Sequence, residues 1–332
     1  TGSRSVNRAN DSGKENEAKP QHGCRCARSS ACAGSGGSAR RFTLARRTRH
    51  DKTDGSYHQY MKYQQAIITG ASSGFGAAFA RRLASDCGRL VLIARRGEIL
   101  KNLASELQES HPGIEVLVEK CDLASVDDRH KLIAKLKSLP VSGKTLLINN
   151  AGLGDYGELA SATVERNASM VQVNVQALVE LSHAFAPLLK AQGGGIINIA
   201  SLAADLPIPD FAIYAASKAF VASFSEALRL EMAACGVPVL AVCPGPVHTG
   251  FGDVARRQGC SDGSAPFKKW FYTEIATVVE GALKALHGGK ARYYPSLKIR
   301  LAGLLVRNLP LPVLRFIMGM RPRKVTATHP ES

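Results

Sequence analysis

The chain has 332 residues and an apolar fraction of 45%, which suits one large α/β domain or two small ones. Its formal net charge of +16 is concentrated at the ends, with 12 basic and 5 acidic residues in 1–60 and nine basic and no acidic residues in 290–324. The segment 61–289 is nearly neutral, which argues against a specific nucleic-acid-binding face, because such a face needs basic residues on ordered elements.

Residues 1–60 are rich in Ser, Gly and Arg and contain few large apolar side chains. They cannot bury a core, so we predict a disordered extension. The eight cysteines form no C-x-x-C pair and no two histidines have zinc-ligand spacing, so no metal site is expected. The cysteines beyond residue 60 stand in apolar contexts and are expected to be buried thiols in a reducing compartment, which favours a cytoplasmic location.

The first predicted strand, at 64–69, runs directly into the glycine turn Gly70-Ala-Ser-Ser-Gly74-Phe-Gly76 and a helix at 75–87. Such a turn presents backbone N–H groups and a helix dipole to a pyrophosphate. Glycines remove Cβ atoms where a dinucleotide must touch the backbone. The spacing is G-x-x-x-G-x-G and not the commoner G-x-G-x-x-G, so taken alone the turn has a second interpretation as an ordinary loop.

Strands and helices alternate through the rest of 61–296, which we predict to be one domain. Continuous apolar strands such as Leu90–Ile93 indicate burial on both faces. Alternation with short links predicts a single-domain α/β fold with a doubly wound parallel sheet. Further strands are predicted at 89–94, 114–120, 145–149, 195–200, 237–243 and 291–294, and further helices at 98–110, 125–138, 163–191, 212–235 and 274–287.

The second strand ends in Arg95-Arg96. An NAD-specific site has an acidic residue at this position, to bind the ribose 2′-OH. Two guanidinium groups instead suit a 2′-phosphate, so the sequence predicts NADP(H). The alternative is that one or both arginines are only solvated.

Tyr214 and Lys218 are four residues apart, so on the predicted helix they face the same way. The lysine charge favours phenolate and is expected to lower the tyrosine pKa, which suits proton exchange with a carbinol oxygen. The alternative is a surface pair. Ser201 follows a strand, where its hydroxyl can polarise a carbonyl or simply form a turn. Asn174 lies mid-helix, where its amide can bind a water in a proton relay or face solvent.

The ordered motifs Thr69–Gly76, Asn149–Gly152, Ser201, Tyr214–Lys218 and Pro244-Gly245 resemble those of the short-chain dehydrogenase/reductase family over about 63–295. The resemblance implies a Rossmann fold and a catalytic tetrad of Asn174, Ser201, Tyr214 and Lys218. It also implies cofactor contacts from Thr69, Gly70, Ser72, Ser73, Gly74, Phe75, Gly76, Arg95, Arg96, Asp122, Leu123, Asn150, Ala151, Gly152, Tyr214, Lys218, Pro244, Gly245, Val247 and Thr249.

Two implied features have alternatives. Asp122 would meet the adenine ring, but it is also a candidate N-cap for the helix after it. The resemblance further implies a homodimer in which helices 163–191 and 212–235 pair with their counterparts. An apolar stripe that includes Leu178, Leu181 and Phe185 supports this, although the stripe can equally pack on the sheet.

The expected function is an NADP(H)-dependent oxidoreductase. It would transfer a hydride between the nicotinamide and a carbonyl or alcohol carbon of an apolar small molecule, such as a ketone, aldehyde, acyl or steroid-like compound. The alternatives are a nucleotide-binding regulatory module and a membrane-associated adaptor, both without turnover. A regulatory module would usually lack a tetrad member, and none is missing here.

The last segment, 297–332, is predicted to be an apolar and basic helical extension. Arg300, Arg307 and Arg315 interrupt its apolar runs, and Pro310 and Pro312 break any continuous helix, which argues against a transmembrane span. Two short amphipathic helices are expected. They either cover the core or the substrate cleft, or bring the protein to a membrane surface through residues 297–324 as a peripheral protein.

Overall fold

The computed structural model describes residues 63–247, 251–255 and 272–320, so segment 1–60 and Thr249 lie outside the described residues. Seven parallel strands form one sheet in the order β3-β2-β1-β4-β5-β6-β7. This confirms the predicted doubly wound parallel sheet. The strands are β1 Tyr63–Thr69, β2 Cys87–Ala94, β3 Glu115–Lys120, β4 Thr145–Asn149, β5 Gly194–Ile199, β6 Val239–Val242 and β7 Arg292–Tyr293.

Helices follow most strands, as the alternation predicts. They are α1 Gly74–Leu83, α2 Gly97–Ser110, α3 Val126–Ser138, α4 Val164–Val171, α5 Ala177–Gln192, α6 Ala212–Ala233, α7 Phe251–Ala255, α8 Ile275–His287, α9 Leu297–Asn308 and α10 Leu311–Gly319. The predicted single helix at 163–191 is instead two helices joined by a wide π-turn, Gln172–Gln176. A short 3₁₀ turn, Leu202–Asp205, follows β5.

The core consists of two layers, one on each face of the sheet. On one face Ile68 packs with Phe79 of α1 and with residues of α8. On the other face Ile67 packs with Phe185 of α5 and with residues of α3. Because successive strand residues point to opposite faces, a continuous apolar strand buries both. The C-terminal ends of the strands therefore form one edge between the two helical layers.

The apolar stripe on α5 belongs to this core. Leu178, Leu181 and Phe185 are all buried within the chain. They contact the sheet or its neighbouring helices and are not available to a second chain. The homodimer stays a prediction, but the stripe no longer supports it.

The described cysteines are all free. Cys121 and Cys243 are buried, and Cys87 is partly buried. Cys235, just beyond the end of α6, is exposed, so the expectation of buried thiols is wrong for this residue. The turn there, Cys235-Gly236, brings the chain back toward β6 at the surface.

A buried arginine joins α3 to the helices that follow β4. Arg129 is 1% exposed, and its Nε donates to Glu180 Oε2 at 2.7 Å. Its two Nη atoms donate to the carbonyl oxygen of Leu123 at 2.9 Å, to Gln172 Oε1 at 3.0 Å and to Glu180 Oε1 at 3.1 Å. A buried charge needs this number of partners. The network fixes the start of the π-turn against α3.

Replacing Arg129 should therefore destabilise the fold strongly. We expect Arg129→Met to lower the free energy of unfolding by about 3 kcal/mol, since it leaves the Glu180 carboxylate without its partner. Arg81 offers a matched control, because it binds Glu106 through the same two-bond geometry with both side chains about half exposed. Arg81→Met should cost less than about 1 kcal/mol. Urea unfolding of both variants measures the difference, and equal losses would contradict it.

The loss should also depend on pH. The hydrogen bond from Arg129 holds the pKa of Glu180 below its ordinary value. The stabilisation is then fully present above the ordinary glutamate pKa of about 4.3 and is lost as the pH falls through the depressed value. The stability gap between wild type and Arg129→Met should narrow in acid. A gap that stayed constant down to the acid transition would contradict this assignment.

Candidate active site

The glycine turn lies at the C-terminal end of β1, where the strand order reverses between β1 and β4. Open α/β sheets bind ligands at such a switch point. Gly70 and Gly74 have φ values of 66° and 56°, in the left-handed region that favours glycine. A Cβ at Gly76 would lie 2.7 Å from Asn150 Nδ2 and closer still to the carbonyl oxygen of Gly70. The turn is thus packed backbone to backbone, which leaves the N-terminus of α1 open to an anionic group.

Thr69 and Asn150 hold this turn against the end of β4. Thr69 Oγ1 accepts hydrogen bonds from the backbone N–H of Asn150 at 2.9 Å and of Ala151 at 3.0 Å. Asn150 Nδ2 donates to the carbonyl oxygens of Thr69 at 2.7 Å and Gly70 at 3.2 Å. Both residues were predicted to bind a cofactor. In this structure their side chains shape the turn that would receive it.

A cationic rim borders the turn. Arg96 Nη2 donates to Ser72 Oγ and to Ser73 Oγ, both at 2.9 Å, and the arginine is exposed. Arg95 beside it is also exposed. Glu98 lies in the first turn of α2 and forms an ion pair with Lys101 at 2.9 Å. The end of β2 therefore presents two guanidinium groups and two hydroxyls.

Asp122 and Leu123 directly follow β3. In the sheet β3 is separated from β1 and its glycine turn by β2. Asp122 Oδ1 accepts from the backbone N–H of Ala124 at 3.0 Å and is half-buried. The N-cap of α3 is Ser125, whose Oγ accepts from the backbone N–H of Asp128 at 3.2 Å. The alternative interpretation of Asp122 as the N-cap is therefore wrong. Its position at the carboxyl end of β3 remains compatible with the predicted adenine contact.

Asn174 lies in the π-turn and is 1% exposed. Its Nδ2 donates to the carbonyl oxygen of Leu153 and to Ser217 Oγ, both at 2.9 Å, and its Oδ1 accepts from the Leu153 N–H at 2.7 Å. The solvent-facing alternative is therefore wrong for Asn174, whose amide joins the loop after β4 to α6. Its binding of a relay water stays a prediction. Wide turns of this kind inside helices are frequent at functional sites. No periodicity in the sequence distinguishes such a turn from a regular helix.

Ser201, Tyr214 and Lys218 meet at the ends of β5 and α6. Ser201 Oγ accepts from the backbone N–H of Ala203 at 3.1 Å, so the serine also begins the 3₁₀ turn. Tyr214 and Lys218 are both buried, and Lys218 Nζ donates to the carbonyl oxygen of Ile199 at 2.7 Å. The side chain of Lys218 passes close to Gly152, where a Cβ would lie 3.3 Å from Nζ. The surface-pair alternative is therefore wrong for this tyrosine and lysine.

Burial sets the protonation of this pair. It raises the pKa of Tyr214 to about 12, and the hydrogen bond with Ser201 opposes that rise only in part. Burial also lowers the pKa of Lys218 to about 8. The Lys218 ammonium lies 5.8 Å from the Tyr214 ring centroid. The direction of the Tyr214 pKa shift is opposite to the expected lowering, because loss of hydration penalises the phenolate more than the Ser201 hydrogen bond stabilises it.

An aromatic wall lies against the Tyr214 ring. Phe211 stacks on Tyr214 with ring centroids 4.2 Å apart, and Tyr156 stacks on Phe211 at 3.9 Å. Phe251 of α7 meets Tyr214 at 5.5 Å in a tilted arrangement. Tyr156 was not predicted, because its loop position carries no sequence signal for a contact with residue 211.

The loop after β6 borders the site next to the 3₁₀ turn that follows Ser201. The carbonyl oxygen of Pro244 accepts from the backbone N–H of Leu202 at 2.9 Å, next to Ser201. Gly245 and Val247 are half-buried, and Val247 packs on the core layer that contains α8. These predicted cofactor contacts follow the C-terminal end of β6. Thr249 lies outside the described residues.

A buried polar chain beneath the site was also not predicted. Asn149 Nδ2 donates to Asn198 Oδ1 at 2.9 Å and to Ser182 Oγ at 3.1 Å. Asn198 Nδ2 donates to Ser225 Oγ at 2.9 Å. The chain links the paired strands β4 and β5 to α5 and α6. The sequence does show an asparagine in each of two apolar strands. Only the register of β4 against β5, which places Asn149 opposite Asn198, makes the two residues partners.

Several comparisons with known proteins agree with this geometry. A family model described as short chain dehydrogenase matches residues 64–258. Sulfoacetaldehyde reductase 2 of Chromohalobacter salexigens is 36% identical over 192 residues, which cover 56% of this chain and 73% of that protein. A solved short-chain dehydrogenase from Sphingobium yanoikuyae in complex with NADPH is 30% identical, with a TM-score of 0.64 over 80% of this chain and 98% of that one. A short chain dehydrogenase/reductase from Burkholderia phymatum in complex with NAD is 27% identical, with a TM-score of 0.62 over 80% and 98%.

The packing of the glycine turn generates a prediction. Gly76→Ala should destabilise the protein by about 1–3 kcal/mol, since the new methyl group overlaps the Gly70 carbonyl. Gly319→Ala is the control, because a Cβ there meets no atom within 4 Å. It should be neutral or slightly stabilising through helix propensity. Urea unfolding measures both, and a Gly76→Ala variant as stable as Gly319→Ala would contradict the described packing.

Proposed function

This chain belongs to the short-chain dehydrogenase/reductase family, and we propose that it is an NADP(H)-dependent oxidoreductase acting on apolar carbonyl compounds or alcohols. The observation that carries the proposal is that the buried Tyr214 and Lys218 and the partly buried Ser201 lie along the same edge of the sheet as a glycine turn that suits an anion. Family membership supports pyridine-nucleotide-dependent oxidoreduction. The cofactor preference and the substrate class depend on individual residues.

The residues at this edge fit a dinucleotide. The backbone of the glycine turn and the N-terminus of α1 suit the pyrophosphate. Arg96, with Ser72 and Ser73, suits a 2′-phosphate, because charge-assisted hydrogen bonds from guanidinium to phosphate are strong. The two solved neighbours bind NADPH and NAD respectively, so the fold alone does not decide between them. The choice of NADP(H) depends on Arg95 and Arg96.

The tetrad residues have distinct roles in this proposal. A bound nicotinamide cofactor supplies the hydride. Tyr214 carries its proton at neutral pH, since burial raises a pKa that is already well above neutrality, and its phenol can donate that proton to the oxygen of a carbonyl being reduced. Ser201 hydrogen-bonds the same oxygen and stabilises its developing charge. Lys218 and Asn174 orient the groups around the tyrosine through Ile199, Leu153 and Ser217.

The surroundings of Tyr214 favour an apolar substrate. Phe211 and Phe251 contact its ring and Tyr156 stacks on Phe211. Leu153 and Ile208 belong to the same cluster. Such a lining gains free energy by excluding water from a hydrocarbon group next to the reacting carbonyl. A bulky ketone or aldehyde, including acyl or steroid-like compounds, is the proposed class. A module without turnover would have no need for the complete tetrad.

Removing one hydroxyl tests the acid role. Tyr214→Phe should reduce turnover by at least about a hundredfold, because general acid catalysis contributes roughly 10²–10⁴-fold. Tyr156→Phe is the matched control, since it removes a hydroxyl from the same aromatic stack. It should keep turnover within about tenfold of wild type. NADPH oxidation against a panel of ketones and aldehydes measures both variants, with NADPH fluorescence titration as the binding control. Substantial activity in Tyr214→Phe would remove the residue from the acid role.

A second substitution tests the cofactor choice. Arg96→Ala should weaken NADPH binding by about 10- to 150-fold, which corresponds to one lost hydrogen bond to a charged group. NADH binding should change little, because NADH lacks the 2′-phosphate. Arg81→Ala, on the outer face of α1, should leave both affinities unchanged. A wild-type protein that already prefers NADH would show the proposal for Arg95 and Arg96 to be wrong.

A further inference from the structure

Helix α9 has apolar residues on two opposite faces. Its inner face holds Ile299, which is fully buried, and Gly303, where a Cβ would lie 2.7 Å from Tyr294 Cε1. Its outer face holds Leu297, Leu301, Leu304 and Leu305, exposed by 68%, 58%, 43% and 63%. The spacing of these leucines, four, seven and eight residues from the first, places them on one stripe. The stripe faces away from the body of the protein.

Helix α10 repeats this arrangement. Leu314 is its buried residue. Val313, Phe316, Ile317 and Met320 are exposed and recur at three, four and seven residues from the first. They form a second outward stripe at helical spacing. Together the outward residues of α9 and α10 are the C-terminal apolar surface, a concentration of exposed large side chains that a monomeric soluble protein rarely shows.

Basic residues border this surface. Arg300 and Arg307 lie on one side of the α9 stripe, Lys298 lies on the other, and Arg315 is exposed on α10. Residues 290–320 contain no acidic side chain. An apolar stripe flanked by lysine and arginine is the pattern of a helix that lies in the interface of a bilayer. In the described residues no single helix is long and apolar enough to cross a membrane. Helices α9 and α10 together have the length and composition of a span, but the chain bends by 115° between them.

We propose that the C-terminal apolar surface docks on the surface of an anionic lipid bilayer. The leucines and Phe316 would enter the headgroup–acyl boundary, and the flanking cations would contact acidic headgroups. A second copy of the chain is a poorer occupant, because it would bring the same cations against Arg300, Arg307 and Arg315 without an acidic residue to pair them. Charge complementarity therefore selects the lipid. The inference does not depend on the proposed function.

The surface lies next to the predicted active site. The inner face of α9 packs on the 3₁₀ turn Leu202–Asp205, which directly follows Ser201. Tyr294 connects the two, because its hydroxyl donates to Asp205 Oδ2 at 3.2 Å and its ring contacts Gly303. Docking through α9 would thus bring this end of the sheet to the bilayer.

Vesicle sedimentation of the full-length protein tests the proposal. The vesicles contain phosphatidylcholine alone or phosphatidylcholine with phosphatidylserine, each at low and high salt. We expect binding to the acidic vesicles that weakens with salt but persists, because salt screens charges and leaves apolar burial intact. The charge variant Arg300→Gln/Arg307→Gln/Arg315→Gln should bind about fivefold less per arginine at low salt. The apolar variant Leu301→Gln/Leu305→Gln/Phe316→Gln/Ile317→Gln should lose binding at high salt.

The matched control is Val164→Gln/Leu230→Gln, which replaces residues of α4 and α6 that are 76% and 71% exposed. It should bind like wild type, and circular dichroism and thermal unfolding establish that every variant is folded. Equal sedimentation of wild type and the apolar variant would overturn the proposal. Equal binding to vesicles with and without phosphatidylserine would also overturn it. Light scattering that shows a wild-type oligomer dissociated by the apolar variant would assign the surface to a second copy instead.

Discussion

The hydrogen bonds between the ends of β1 and β4 are the constraint on which the site depends. Thr69 and Asn150 join these neighbouring strands through their side chains and hold the glycine turn between them. Because the strand order reverses at this pair, the turn opens toward the edge where β4, β5 and α6 deliver their polar residues. Shifting one strand end would move the anion-binding turn relative to Ser201 and Tyr214. The distance along the sheet between the anion-binding turn and the tyrosine is therefore set by the pairing of β1 with β4 together with these side-chain hydrogen bonds.

The sequence predicted the sheet well, because its strands are continuous apolar runs and its helices start after short links. Thr69, Asn150 and Ser201 were correctly predicted to lie at strand ends, because the ends of the apolar runs mark the ends of the strands. The π-turn at Gln172–Gln176 could not be predicted, since the segment contains no glycine or proline to mark a departure from regular helix. The role of the Asn174 amide also escaped, because its partners Leu153 and Ser217 are 21 and 43 residues away in the chain. Residue types at strand ends are local information, whereas hydrogen-bond partners are not.

Burial explains the larger differences between expectation and structure. The spacing of Tyr214 and Lys218 predicts their proximity but not their hydration, and loss of hydration determines the direction of both pKa shifts. Arg129 looks like a surface residue on an otherwise polar helix, yet it is enclosed by Glu180, Gln172 and the backbone of Leu123. Whether a charged side chain faces water depends on which helix covers it. The burial of Arg129 is therefore set by how the helices pack and not by the sequence of α3 alone.

The opposite pKa shifts of Tyr214 and Lys218 have an electrostatic consequence. Tyr214 is neutral at pH 7, but a Lys218 pKa of about 8 leaves the lysine largely protonated, so the reaction centre holds one buried cation while Arg95 and Arg96 stand exposed at the rim. Salt screens the exposed rim charges that attract a polyanionic cofactor, whereas it screens the buried Lys218 charge much less. The rate of cofactor association should therefore depend on ionic strength, whereas the rate of proton transfer at Tyr214 should hardly depend on it.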